Sequence, residues 1–129
     1  MISFTPDPID PTRAYELLQP PGTTSTGSIL VHYAVVKQQR LEGQITTAIE
    51  YAARGDVEEN LEAIAATMNG RWQMESVLLV RRSGVVEVGE IISLVGVSSP
   101  NSADAFAACQ FALESFKKMP TIAKREIYR

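Results

Sequence analysis

Lys117 and Lys124 stand seven residues apart in the most basic stretch of the chain, and lysine can move protons or attack carbonyl carbon. Lys117 and Lys118 close an apolar-striped segment that reads as a helix, where cations also meet the negative end of the helix dipole. That placement accounts for them without any site. Lys124-Arg125 is harder to leave on the surface. Ile122 and Ile127 flank the pair, so the tail should pack and hold Lys124 near Lys117. Two ammonium groups brought together disfavour each other's charge and attract phosphate, which suits a base or nucleophile. Residues 101–129 carry a local charge of +2 in a chain of net charge −3, leaving −5 on the remainder. A basic end on an acidic body fits an anionic ligand or an acidic partner.

Other reactive residue types are few. One histidine and one cysteine cannot supply a zinc-type ligand set. His32 lies inside an apolar run and reads as a satisfied core histidine. Cys109 lies on an apolar helix stripe, where free cysteine behaves as a small hydrophobe. Arg81-Arg82 ends a strand, either as a solvated strand end or as an anion contact. Neither a phosphate-loop glycine pattern nor GxGxxG occurs. The negative net charge argues against a general nucleic-acid binder. No apolar run approaches the roughly 20 residues that span a bilayer. Residues 1–10 lack the basic and apolar regions of a secretory signal, and a lone cysteine suits a reducing compartment. A soluble cytoplasmic protein is expected.

The elements that must position these residues follow from pattern. A chain of 129 residues with 45% hydrophobic content fits one domain, residues 1–129, large enough to bury a core. Ile2–Phe4 reads as a short strand. Asp10-Pro11 starts a short helix through Ala14, Leu17 and Leu18, which ends before Pro20-Pro21. Gly22–Gly27 is a polar loop. Ser28–Val36 reads as a buried strand, and Lys37–Gly43 as a polar turn. Ile45–Tyr51 is a second strand, expected to pair antiparallel with Ser28–Val36. Asp56 caps a helix with Leu61, Ile64, Ala65 and Met68 on one face, closed by Asn69-Gly70. Strands at 75–82 and 89–97 flank a turn containing Gly84. The last helix starts near Asn101 or Ser102, buries Ala105, Cys109, Ala112 and Phe116, and ends by Pro120. Lys124 follows in an extended tail. With strand pairs between helices, the pattern is α+β.

Several segments, in order, resemble the catalytic (large) subunit of molybdopterin synthase. They are Arg81-Arg82-Ser83-Gly84, Val88-Gly89-Glu90, Val95-Gly96-Val97-Ser98-Ser99, Ala105-Phe106-Ala107-Ala108-Cys109, Lys117 and Lys124-Arg125-Glu126. Upstream, Pro8-Ile9-Asp10, Gly27–Lys37 and Glu50 follow the same order more thinly. The resemblance implies an α/β hammerhead fold with an additional antiparallel sheet, and a homodimer forming a heterotetramer with a small partner. That partner is a ubiquitin-like sulfur carrier with a Gly-Gly C-terminus ending in a thiocarboxylate. The implied activity is sulfur transfer to cyclic pyranopterin monophosphate, forming the molybdopterin dithiolene, with no metal or cofactor in this chain. Lys117 and Lys124 fall on the family's two active-site lysines. Lys37, Arg40, Arg81, Arg82 and Arg125 are then candidate contacts to the substrate's anionic groups. Asn101 and Ser102 occupy the positions of a substrate-binding His-Arg pair, Ala34 that of a glycine, and Ala123 that of an aromatic residue. Two outcomes stay open: an active synthase subunit, or a non-catalytic paralogue that keeps the dimer and carrier-binding surfaces.

Overall fold

The apolar run Val77–Val80 becomes the heart of a four-stranded sheet in the computed structural model, which describes residues 1–129. In chain order the elements are β1 (Ile2–Thr5), α1 (Ala14–Leu17), β2 (Ser28–Val35), β3 (Arg40–Leu41), β4 (Gln44–Ala53), α2 (Val57–Arg71), β5 (Ser76–Arg82), β6 (Gly84–Glu87), β7 (Ile91–Ser99), α3 (Ser102–Lys117) and β8 (Ile122–Tyr128). The first sheet has the order β1-β5-β7-β2, with β1 parallel to β5 and the other pairs antiparallel. A second sheet is built on β4, which pairs antiparallel with β3, β6 and β8. The result is a mixed α/β architecture with the strand pairs between helices that the sequence suggests.

β5 is buried on both faces, so its run is apolar throughout rather than alternating. Successive side chains nevertheless part company. Val77 and Leu79 join Leu61, Ile64 and Met68 of α2 and Ala105, Ala108, Ala112 and Phe116 of α3 in the main core. Leu78 and Val80 face the other way, against Ala14 and Leu18. Leu18 lies so close to β7 that a Cβ on Gly96 would sit 2.8 Å from its Cδ1. Leu61 is fully buried, and its truncation to alanine would cost about 2–5 kcal/mol.

Both long helices begin where the sequence places them. The Asp56 carboxylate accepts from the Glu59 N–H at 3.0 Å, and the Asn101 side chain accepts from the Asp104 N–H at 2.8 Å. Four expectations are corrected. β4 does not pair with β2: β7 takes β2, and β4 goes to the second sheet. Asn69-Gly70 does not end α2, which runs on to Arg71; the Arg71 guanidinium lies 4.6 Å from the Trp72 ring centre and 5.6 Å from that of Phe111. The turn at Gly84 is itself the start of β6. His32 is not in the core, because β2 is an edge strand and this residue is exposed.

Candidate active site: a cation-lined cleft

The strand parity that sends Val77 and Leu79 into the core sends Arg81 the same way, past the end of the helix layer. Register then assembles its neighbours. Ser93 on β7 pairs with Arg81 on one side and Ala34 on the other, while Tyr51 on β4 pairs with Lys124 on β8. α3 contributes Phe116 and Lys117 from its last turn, and the chain reverses through Met119 to enter β8. Between these elements opens a cleft of about 310 Å³. Lys117, Lys124, Arg81, Tyr51, Ser93 and His32 supply its polar groups, and Ala34, Ile92, Leu113, Phe116, Met119 and Ile122 its apolar wall. No aspartate or glutamate lines it.

The cations differ in depth. Lys117 and Lys124 are exposed, whereas Arg81 is only 7% exposed. Arg81 Nη1 donates to the Phe116 carbonyl at 2.9 Å and to the Met119 sulfur at 3.5 Å. Its guanidinium carbon lies 5.2 Å from the Phe116 ring centre and 5.6 Å from that of Tyr51, within cation–π range. Nε is sealed from solvent without an acceptor. Burial pushes the pKa of Arg81 below the usual arginine value, but a guanidinium remains charged at neutral pH. Burial likewise pushes the Tyr51 hydroxyl up, partly opposed by Arg81, so the phenol stays protonated and can donate.

The other residues singled out from sequence lie outside the cleft. Arg82 is no solvated strand end either: parity turns it to the opposite face, 6% exposed, with Nη1 4.0 Å from Glu90. Arg125 points away from Lys124 and donates from Nε and Nη2 to Glu50 Oε1 at 3.1 and 2.9 Å. Lys37 and Arg40 are exposed between β2 and β4. Asn101 is occupied as the α3 cap, and Ser102 begins the helix. Cys109 is buried, and desolvation raises its thiol pKa, in keeping with a packing role. Tyr51, Ser93 and Phe116 join the cleft although no sequence pattern marks them for it. The first two are placed by cross-strand register opposite Lys124 and Arg81, a non-local relation that the sequence does not announce.

Residues 4–119 match the family model described as "MoaE protein". Lys117 falls within the matched span and Lys124 just beyond it. The chain is 32% identical over 103 residues to the molybdopterin synthase catalytic subunit of Staphylococcus carnosus (strain TM300), covering 79% of this chain and 68% of that protein. It is 30% identical over 103 residues to the corresponding subunit of Bacillus subtilis (strain 168), covering 79% and 65%. The fold is similar to that of the crystal structure of molybdopterin synthase from Staphylococcus aureus, with a TM-score of 0.86, 28% identity, and coverage of 98% of this chain and 90% of that one.

Proposed function

The chain belongs to the MoaE protein family, and on that premise we propose that it is the catalytic subunit of a molybdopterin synthase, acting in molybdenum cofactor biosynthesis. Its substrate is cyclic pyranopterin monophosphate, and its sulfur donor is a small ubiquitin-like carrier whose Gly-Gly C-terminus bears a thiocarboxylate. The observation that carries this reading is the convergence of Lys117 and Lys124, from different elements, on one cleft without a carboxylate in its lining. Both the thiocarboxylate and the phosphate are anions, so this lining favours them together. The thiocarboxylate sulfur bonds to a side-chain carbon of the pterin as a C–O bond there breaks, and water then cleaves the acyl–sulfur bond to return the carrier as a carboxylate; in both steps negative charge grows on oxygen. An adjacent ammonium group stabilises that charge, and the lysine pair can exchange the protons the steps require. The exposure of both lysines suits a site approached by the tail of a second protein. The chain works as one unit over residues 1–129, in a homodimer with one carrier per subunit.

The basic residues divide accordingly. Lys117, Lys124 and Arg81 belong to the reaction cleft. Arg125 is engaged by Glu50 and Asn101 by its own helix, while Arg82 lies on the opposite face, 4.0 Å from Glu90 and with its Nε unpartnered, so on this reading none of the three contacts the substrate from the cleft. Lys37, Arg40 and Ser102 are exposed outside the cleft.

The test mixes purified protein with thiocarboxylated carrier and the cyclic precursor and measures molybdopterin. Turnover that disappears in Lys117→Ala supports the reading, and no turnover by the parent protein at any carrier concentration sinks it. One observation favours a second reading, a non-catalytic paralogue that keeps the dimer and carrier surfaces. Asn101-Ser102 carries no charge where the resemblance places a basic pair, and neither residue can supply an arginine's two-pronged contact. Installing Asn101→His with Ser102→Arg separates the two: the second reading requires turnover to appear or rise about tenfold, and the first requires little change.

A further inference from the structure

Arg81 is a buried charge without a countercharge. The two ion pairs of the molecule belong to Arg82 and Arg125; nothing acidic pairs with Arg81 or lines the cleft it faces. An unpaired charge at 7% exposure is costly unless hydrogen-bonded or matched by an opposite charge. Its protein contacts meet only part of that need: one carbonyl and one thioether on Nη1, and two aromatic ring faces. Nε has no acceptor at all, and Nη2 donates to no protein group. Nη2 is thus the nitrogen open to a ligand oxygen, and Nε lies beside it on the same guanidinium edge, sealed until the cleft wall shifts to admit a second, parallel hydrogen bond.

We infer that Arg81 is the oxyanion receptor of the cleft and seats the phosphate of the small substrate at its deep end. This rests on the sulfur-transfer reading for the identity of the substrate, but the receptor itself follows from burial, missing partners and lining. The arrangement gives the ligand a polarity. Its phosphate lies inward against β5, and the remainder projects toward Lys117 and Lys124 at the exposed rim. It also supplies an anion contact that Asn101-Ser102 does not, from a strand on which the run Val77–Val80 gives no hint of a site.

The experiment titrates the full chain with inorganic phosphate, followed by phosphorus NMR and calorimetry. Arg81→Met, checked for folding by circular dichroism and thermal melting, should weaken phosphate binding by about 10- to 100-fold, the usual span for losing charge-assisted hydrogen bonds. Arg81→Lys should recover part of that loss, since it keeps charge but not the fork. Lys118→Met removes a charge outside the cleft and should change affinity less than about twofold. A folded Arg81→Met that binds phosphate as the parent does overturns the assignment. So does a loss confined to a peptide ending in a Gly-Gly carboxylate, with phosphate binding unchanged. A measurement on the unaltered protein guards against a variant that does not fold. Arginine side-chain nitrogen NMR should show slowly exchanging Nε signals from Arg81 and Arg82, of which one shifts on saturation with phosphate; no shift in either overturns the assignment. Phosphate binding that depends on Arg81 without molybdopterin formation would count against the enzymatic reading and leave the receptor standing.

Discussion

The two ends of α3 carry opposite lessons about polar residues. At its start, Asn101 accepts from the Asp104 N–H, and the Asp104 carboxylate accepts in turn from the Gln73 N–H at 2.9 Å. Every one of these polar groups is spent on ordering the chain, and Asp104 adds negative charge where the helix dipole would otherwise attract an anion. At its finish, Lys117 has no carboxylate partner and meets Lys124 and Arg81 across an open cleft. Polar residues whose hydrogen bonds close on the protein build structure; those left open toward a concavity are available for chemistry.

Substitution at the two ends should break this contrast most sharply. Lys117→Ala should lower molybdopterin formation by about 10²–10⁴-fold, the range for losing a general acid–base group, with melting temperature nearly unchanged. Asn101→Ala should do the reverse. It should cost about 1 kcal/mol of stability in chemical denaturation by removing the cap, and leave turnover per folded molecule as it was. A smaller effect separates the ends by pH. Burial raises the Tyr51 pKa, so the folded state holds that proton more tightly than the unfolded chain. The stability this contributes is fully present below the ordinary tyrosine pKa and is lost as pH rises through the raised one. Tyr51→Phe should therefore flatten the alkaline fall in stability, whereas Asn101→Ala should shift the whole curve without changing its slope. Smallest of all, Arg125→Gln should cost less than about 1 kcal/mol, because its pair with Glu50 is 70% and 39% exposed. A larger loss would mean that the outward face of β8 matters as much as the inward one.

Local signals in the sequence are legible and non-local ones are not. Asp56 and Asn101 announce helix starts because a cap needs only neighbours three residues away. The partner of β4 depends on contacts far along the chain, and nearness in sequence points to β2 where the fold uses β6 and β8. Lys117 and Lys124 can be paired from the isoleucines around the second lysine. The strand that holds Lys124 cannot be read the same way, since Ile122–Tyr128 mixes charged and apolar side chains on both faces. Arg81 and Arg82 look alike in sequence, and only the sheet separates them, one into the cleft and one toward Glu90. Gly70 reads as a stop, but Arg71 packing on Trp72 and Phe111 accompanies a further residue of helix.

The pairing of Tyr51 with Lys124 and of Glu50 with Arg125 makes the choice of cleft lysine a matter of counting. Side chains alternate along β8, so a slip of one residue turns Arg125 inward and Lys124 out. The register runs unbroken from Ala48 to Ala53, and its one irregularity lies at the far end, between Thr46 and Ala48. A slipped strand would keep the positive charge of the cleft but replace an amine that can give up its proton with a guanidinium that cannot. Single-residue insertions or deletions between Lys118 and Thr121 should thus be tolerated by the fold more readily than by the chemistry. Length in that short turn therefore sets which side chain of β8 reaches the cleft.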